Sequence, residues 1–147
     1  MTSEKNYHAL ILDKIFMGGF ADVESMVKNE DIDVIVDLRG EATECAYPAT
    51  HVTWIQIPLA DNAAVPQEKA FEQAIEAVTE AYRQNKKVAF HCNGGRGRTG
   101  AVAAGTLIAL GLSDTLEEAE AKAKSIRSII DIKPAQKESL KKLYPDK

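Results

Sequence analysis

Between residues 88 and 110 a short apolar run, Val88 to His91, passes through the glycine-rich segment Cys92-Asn93-Gly94-Gly95-Arg96-Gly97 into a nearly all-apolar stretch from about Arg98 to Leu110. The first run reads as a buried strand. The last reads as a helix that must be covered on every side, so the chain needs a layered core. At 147 residues it can bury roughly two-thirds of the surface its unfolded form exposes, enough to hold one domain over 1–147 without a disulfide or metal. Upstream, Ala9 to Leu12, Ile15 to Met17, Ile32 to Leu38 and Val52 to Ile57 have strand length, and a helix is expected over Asp22 to Asn29. Val34, Ile35 and Val36 are apolar in succession, which suits a central strand covered on both faces. From Pro66 to Asn85, Phe71, Ile75, Val78 and Tyr82 recur at helical spacing. Two more helices follow, one capped by Thr115 with Glu118 and burying Leu116, Ala119, Ala123 and Ile126, the other opening at Pro134. The expected fold is α/β: a central, mostly parallel sheet of about five strands flanked by about five helices, in a single domain.

The 22 acidic and 18 basic residues leave a net charge of −4 with no run of like charge, which argues against nucleic acid or an anionic membrane as the main partner. The two cysteines, Cys45 and Cys92, and the histidines His8, His51 and His91 lack metal-ligand spacing, so neither a metal nor a cofactor is expected. Two cysteines also favour a reducing compartment. The amino end has no apolar stretch of signal-peptide length, and Ala101 to Leu112 is too short to cross a bilayer. A cytoplasmic monomer without stable membrane association is the expectation.

The segment from His91 to Gly100 has the makings of a phosphate cradle. Gly94, Gly95 and Gly97 let successive backbone N–H groups turn inward, and the helix that follows adds its positive end. A loop from Cys92 to Arg98 that closes around an oxyanion brings the guanidinium fork to its oxygens. The same surroundings favour Cys92 as a thiolate nucleophile. A buried structural cysteine beside a glycine turn is the plainer reading, but it has no need of Gly95, Arg98 and Thr99 at these offsets. Gly95-x-Gly97-x-x-Gly100 also matches a dinucleotide-binding fingerprint, yet only helices follow where that fold needs a second strand. The lysine of a Walker loop is absent.

His91-Cys92-x-x-Gly95-x-x-Arg98-Thr99 resembles the signature of the cysteine-dependent protein phosphatases, with the compact dual-specificity branch the nearer match. The similarity extends through IFMGG, VIVDLRG and IPLADN to the helical tail. It implies Cys92 as nucleophile, the amides of Asn93, Gly94, Gly95, Arg96, Gly97 and Arg98 as phosphate ligands, and the Arg98 side chain among them. Asp61, in Ile57-Pro58-Leu59-Ala60-Asp61-Asn62, resembles the leaving-group acid, although an Asp before Asn is ordinarily turn chemistry. Asp37 is the reserve acid, poorly placed to move within a strand. Thr99 resembles the hydroxyl that bonds the sulfur, with a helix N-cap as its plain alternative. His91 resembles the histidine that orients the cysteine loop. Gln136 resembles a glutamine that positions water in some members, but it is also an ordinary residue for the first turn of a surface helix.

The implied activity is hydrolysis of phosphotyrosine, with phosphoserine and phosphothreonine as further targets, through a phosphocysteine. The implied partners are phosphorylated proteins or small phosphomonoesters. Arg96 adds a cation that either faces solvent, pairs with an acid, or favours a second phosphate as on an inositol phosphate or phosphoinositide. Asn93 supplies no matching cation. A non-catalytic phospho-binding module is the remaining alternative, and a Cys45–Cys92 redox disulfide is a further expectation that rests on Cys45 being the other thiol.

Overall fold

The computed structural model describes residues 7–40, 52–59 and 67–145. Five strands form one sheet: β1 (His8–Ile11), β2 (Ile15–Gly18), β3 (Val34–Arg39), β4 (Thr53–Leu59) and β5 (Val88–His91). Their order across the sheet is β1-β2-β5-β3-β4; β1 pairs antiparallel with β2, and every other neighbour is parallel. The helices are α1 (Val23–Glu30), α2 (Glu68–Arg83), α3 (Gly97–Ala109), α4 (Leu116–Ile126) and α5 (Pro134–Leu143). This is the expected α/β arrangement, with the strand ends moved by a residue or two. Ile32 is buried but lies before β3, because Asp31 takes a left-handed conformation (φ 59°) after α1 and the Asp33 carboxylate accepts from the Lys87 N–H. At the other end β4 runs through Pro58 to Leu59. A proline is tolerated there because β4 is an edge strand, and its pairing with β3 shifts register between Asp37 and Arg39.

Alternation along β3 divides the core. Val34, Val36 and Leu38 face one layer with Ile15, Met17, Phe90 and the inner sides of α2, α3, α4 and α5. Ile35 faces the other with Phe16, Ala89 and Val23, Met26 and Val27 of α1. The sheet is therefore covered on both faces, and α3 is buried from Gly97 to Ile108. Gly105 makes that possible: a Cβ there would collide with Ile75 of α2 and come within 3.3 Å of Leu140 of α5. The Thr115 hydroxyl caps α4 by accepting from the Glu118 N–H at 3.1 Å. Within the stripe of α4, Ile126 is only half-buried. The whole arrangement places the carboxyl ends of β3, β4 and β5 and the amino end of α3 side by side, the usual location for a ligand in an open α/β sheet.

Candidate functional site

β5 ends at His91, and Cys92 begins a tight loop that enters α3 at Gly97. The Cys92 side chain is buried, with Sγ 3.2 Å from the Gly95 N–H and 3.0 Å from Thr99 Oγ1. Gly95 aims its N–H at the sulfur by taking a left-handed conformation, φ 71°. Only glycine fits: a Cβ would lie 2.5 Å from Arg127 Nη2 and 2.8 Å from the carbonyl carbon of Gly18. The Thr99 hydroxyl also lies 3.3 Å from the Gly18 carbonyl, so its one proton chooses between sulfur and oxygen. Arg96 holds the N-cap position of α3, and Thr99 therefore does not cap the helix.

His91 is fully buried. Its Nδ1 lies 3.0 Å from the Cys92 carbonyl, which can only accept, so the ring proton sits on Nδ1. Nε2 faces Asp37 Oδ1 at 3.7 Å. Burial lowers the His91 pKa and outweighs the opposing influence of Asp37, leaving the ring neutral near pH 7. Asp37 is also fully buried and accepts from Arg39 Nε and Nη2, each at 2.9 Å, and from Trp54 Nε1 at 3.0 Å. Burial is the largest influence on this carboxyl and pushes its pKa up, but Arg39, His91 and Trp54 together bring it below the ordinary value. Arg39 in turn lies over the Phe20 ring at 4.8 Å. Asp37 thus belongs to a framework behind the loop and is locked in place by four donors, counting the Arg39 N–H at 3.0 Å.

Arg98 crosses from α3 to the sheet, where Nη1 donates to the Leu59 carbonyl at 2.9 Å and lies 3.4 Å from that of Leu38. A cavity of about 270 Å³ sits over the loop, lined by Cys92, Gly94, Arg96, Gly97, Arg98, Asp131 and Lys133. The structure therefore brings together Cys92, the loop residues from Gly94 to Gly97, Arg98 and Thr99, with His91 behind them. Asn93 is exposed, and its carbonyl accepts from the Phe20 N–H at 2.9 Å. Asp61 and Cys45 lie outside the described residues. Gln136 is buried, contrary to the surface position its place in a first turn implies: Oε1 accepts from the Lys133 N–H at 2.8 Å, while Nε2 is buried without a hydrogen-bond partner among the described residues. The reason is that α5 packs against α2 and α3, which turns this residue inward.

Three residues at the site were not anticipated from the sequence. Asp131 and Lys133 line the cavity, and the Asp131 N–H donates to the Arg96 carbonyl at 3.2 Å. Arg127 is buried directly beneath the loop and donates from Nε to the Gly95 carbonyl at 2.8 Å. A signal for Arg127 was present, because it continues the Ala119, Ala123 stripe at helical spacing, where a cation on a buried face calls for a partner.

The sequence of residues 19–112 matches the family described as polymorphic toxin system, DSP-PTPase phosphatase. No curated protein matches the chain. Among solved structures, a mouse putative dual specificity phosphatase complexed with zinc tungstate superimposes with a TM-score of 0.81 at 19% identity, over 97% of this chain and 88% of that one. PTPMT1 in complex with PI(5)P gives 0.79 at 20% identity, over 96% of each chain. A human tyrosine phosphatase-like serine/threonine/tyrosine-interacting protein gives 0.80 at 16% identity, over 97% of each. At these identities the structural likeness speaks for the fold. Among the described residues no helix is long and apolar enough to cross a membrane.

Proposed function

This chain belongs to the DSP-PTPase phosphatase family, in the dual-specificity-like branch of the cysteine-dependent phosphatases, and on that premise we propose that it hydrolyses phosphotyrosine, with phosphoserine and phosphothreonine as further substrates, through a phosphocysteine intermediate. The observation that carries this reading is the pair of donors on the Cys92 sulfur, the Gly95 N–H and the Thr99 hydroxyl, at the floor of a cavity also lined by Arg96 and Arg98. Two donors on a sulfur stabilise its anionic form. The amino end of α3 and a guanidinium beside that sulfur suit a tetrahedral dianion.

Cys92 Sγ attacks phosphorus in line, the S–P bond forms and the P–O bond to the leaving group breaks. Asp61 gives its proton to the departing oxygen. Water then attacks the phosphocysteine, Asp61 takes up a proton from it, and the sulfur leaves as thiolate with the Thr99 hydroxyl as its hydrogen-bond partner. Arg98 and the loop amides hold the equatorial oxygens through both steps, so the protein contributes mainly position and charge stabilisation. His91 holds the Cys92 carbonyl and thereby the mouth of the loop. The catalytic unit is taken as 1–147, acting as a monomer without a resident metal.

A second reading is favoured by one observation. Lys133 joins Arg96 in the cavity wall and would suit a substrate with another phosphate, as on an inositol phosphate or phosphoinositide, although an acidic residue, Asp131, lines the same cavity. Phosphate release from phosphotyrosine, phosphoserine and phosphothreonine peptides and from inositol phosphates separates the two. The expected outcome is fastest release from phosphotyrosine, abolished in Cys92→Ser with the fold retained. Release from inositol phosphates alone selects the second reading; undiminished turnover in Cys92→Ser overturns both.

A further inference from the structure

The nucleophile reading leaves a buried cation without a role. Arg127 is 3% exposed and lies just past the end of α4, where an extended backbone (φ −133°, ψ 99°) turns its guanidinium under the loop. Each side of the fork has its own partner. Nε donates to the Gly95 carbonyl at 2.8 Å, Nη1 lies 3.1 Å from His8 Nδ1, and Nη2 lies 4.0 Å from Asp22 Oδ2. Arginine can only donate, so His8 Nδ1 accepts, and the imidazole is neutral with its proton on Nε2. Asp22 is itself fixed by accepting from the Gly19 N–H at 2.8 Å.

Gly95 is therefore held through both of the peptide groups that flank it. Its N–H points forward to Cys92 Sγ and its carbonyl points back to Arg127, the two groups of one residue whose left-handed backbone is otherwise free to rotate. We infer that Arg127 is a positioning residue for Cys92, and that His8 holds it in place by accepting from Nη1. The guanidinium fixes the Gly95–Arg96 peptide, limits the rotation of the Gly95 backbone that aims its N–H at the sulfur, and sets a buried positive charge beneath the loop. Burial lowers the pKa of Arg127, whereas Asp22 and Cys92 act in the opposite direction, so the cation and the sulfur sense one another. A lysine cannot reproduce this, having a single point of donation where the fork has three directions.

The inference rests on Cys92 being the nucleophile, and its test does not use turnover. Iodoacetamide labelling of the Cys92 peptide is followed by mass spectrometry at pH 6 and pH 9 in otherwise intact protein, with circular dichroism as the control for folding. In Arg127→Met the ratio of the pH 6 rate to the pH 9 rate falls several-fold, further than in His8→Ala. His8→Ala, at a partly exposed position, lowers it about threefold, a fraction of one hydrogen bond to a charged group. His8→Asn restores it, since the amide oxygen can stand where Nδ1 accepts. An unchanged ratio in folded Arg127→Met overturns the inference. If Arg127→Met does not fold, the His8 pair decides: His8→Ala equal to the wild type, or His8→Asn no better than His8→Ala, overturns it as well. A wild-type Cys92 that labels at pH 6 no faster than a free thiol would instead refute the nucleophile reading itself.

Discussion

Asp37 separates a supporting carboxylate from a catalytic one. It is fully buried and receives the Arg39 N–H, both edges of the Arg39 guanidinium and the Trp54 indole N–H, all within 3.0 Å. Asp37→Ala takes from the buried Arg39 guanidinium the carboxylate that accepts from its Nε and Nη2, a loss of about 3 to 5 kcal/mol for a broken buried pair. In a chain of this size about 1 kcal/mol corresponds to roughly 3 to 5 °C, so Tm should fall by about 9 to 25 °C. Asp37→Asn keeps one acceptor oxygen but turns an amide NH₂ toward a donor, which predicts an intermediate loss of about 2 kcal/mol. Because Asp61 supplies the proton in the proposed mechanism, Asp37→Asn should retain turnover of an aryl phosphate to within several-fold below its melting point. Urea unfolding followed by fluorescence, with aryl phosphate hydrolysis on the same preparations, measures both quantities. A loss below about 1 kcal/mol in Asp37→Ala would refute the structural argument. Abolished turnover in a stable Asp37→Asn would make Asp37 the acid and refute the assignment to Asp61.

Further outcomes follow from the same contacts. Thr99→Val removes the hydroxyl 3.0 Å from the sulfur and should slow breakdown of the phosphocysteine more than its formation, so an initial burst of product appears in stopped-flow assays. Gly105→Ala places a methyl group against Ile75 and Leu140 between α3, α2 and α5 and should cost about 1 to 3 kcal/mol by overpacking, readable as a lower urea midpoint with an unchanged m-value. His91 and His8 both have folded pKa values below 6.5, each chiefly through burial. The unfolded chain therefore binds protons first as pH falls. Stability should be full above pH 6.5 and decline below it toward the folded values, with Asp37 adding a further loss only below its ordinary value of 3.8. Urea titrations at pH 7.5, about 6 and about 5 check the sign, and His91→Gln should flatten the slope.

Much of the fold was legible because each element carried its own periodic signal. The run at Val34 to Val36 marked a strand covered on both faces, and the nearly uniform apolarity after Arg98 marked the buried helix α3. What could not be read was how distant segments close on the loop between β5 and α3. Arg127 and Asp131 reach it from beyond α4, more than thirty residues later, through hydrogen bonds to the Gly95 and Arg96 carbonyls. The stripe of α4 marks Arg127 as buried, but no local pattern says which distant carbonyl its side chain, or the Asp131 N–H, will satisfy. Gln136 shows the same limit in reverse: its place in a first turn suggested exposure, and tertiary packing of α5 buried it. The strand ends moved through polar contacts, such as the Asp33 carboxylate taking the N–H of the distant Lys87 ahead of β3, that hydropathy alone does not register.

The central claim is that Cys92 carries the phosphoryl group. Rapid acid quench during hydrolysis of an aryl phosphate, followed by peptide mass spectrometry, tests it most directly, with Thr99→Val used to prolong the intermediate. The account predicts one phosphoryl group on the peptide containing Cys92, absent in Cys92→Ser. Steady hydrolysis by the wild type with the Cys92 peptide unmodified, or a phosphoryl group on another residue, would contradict it.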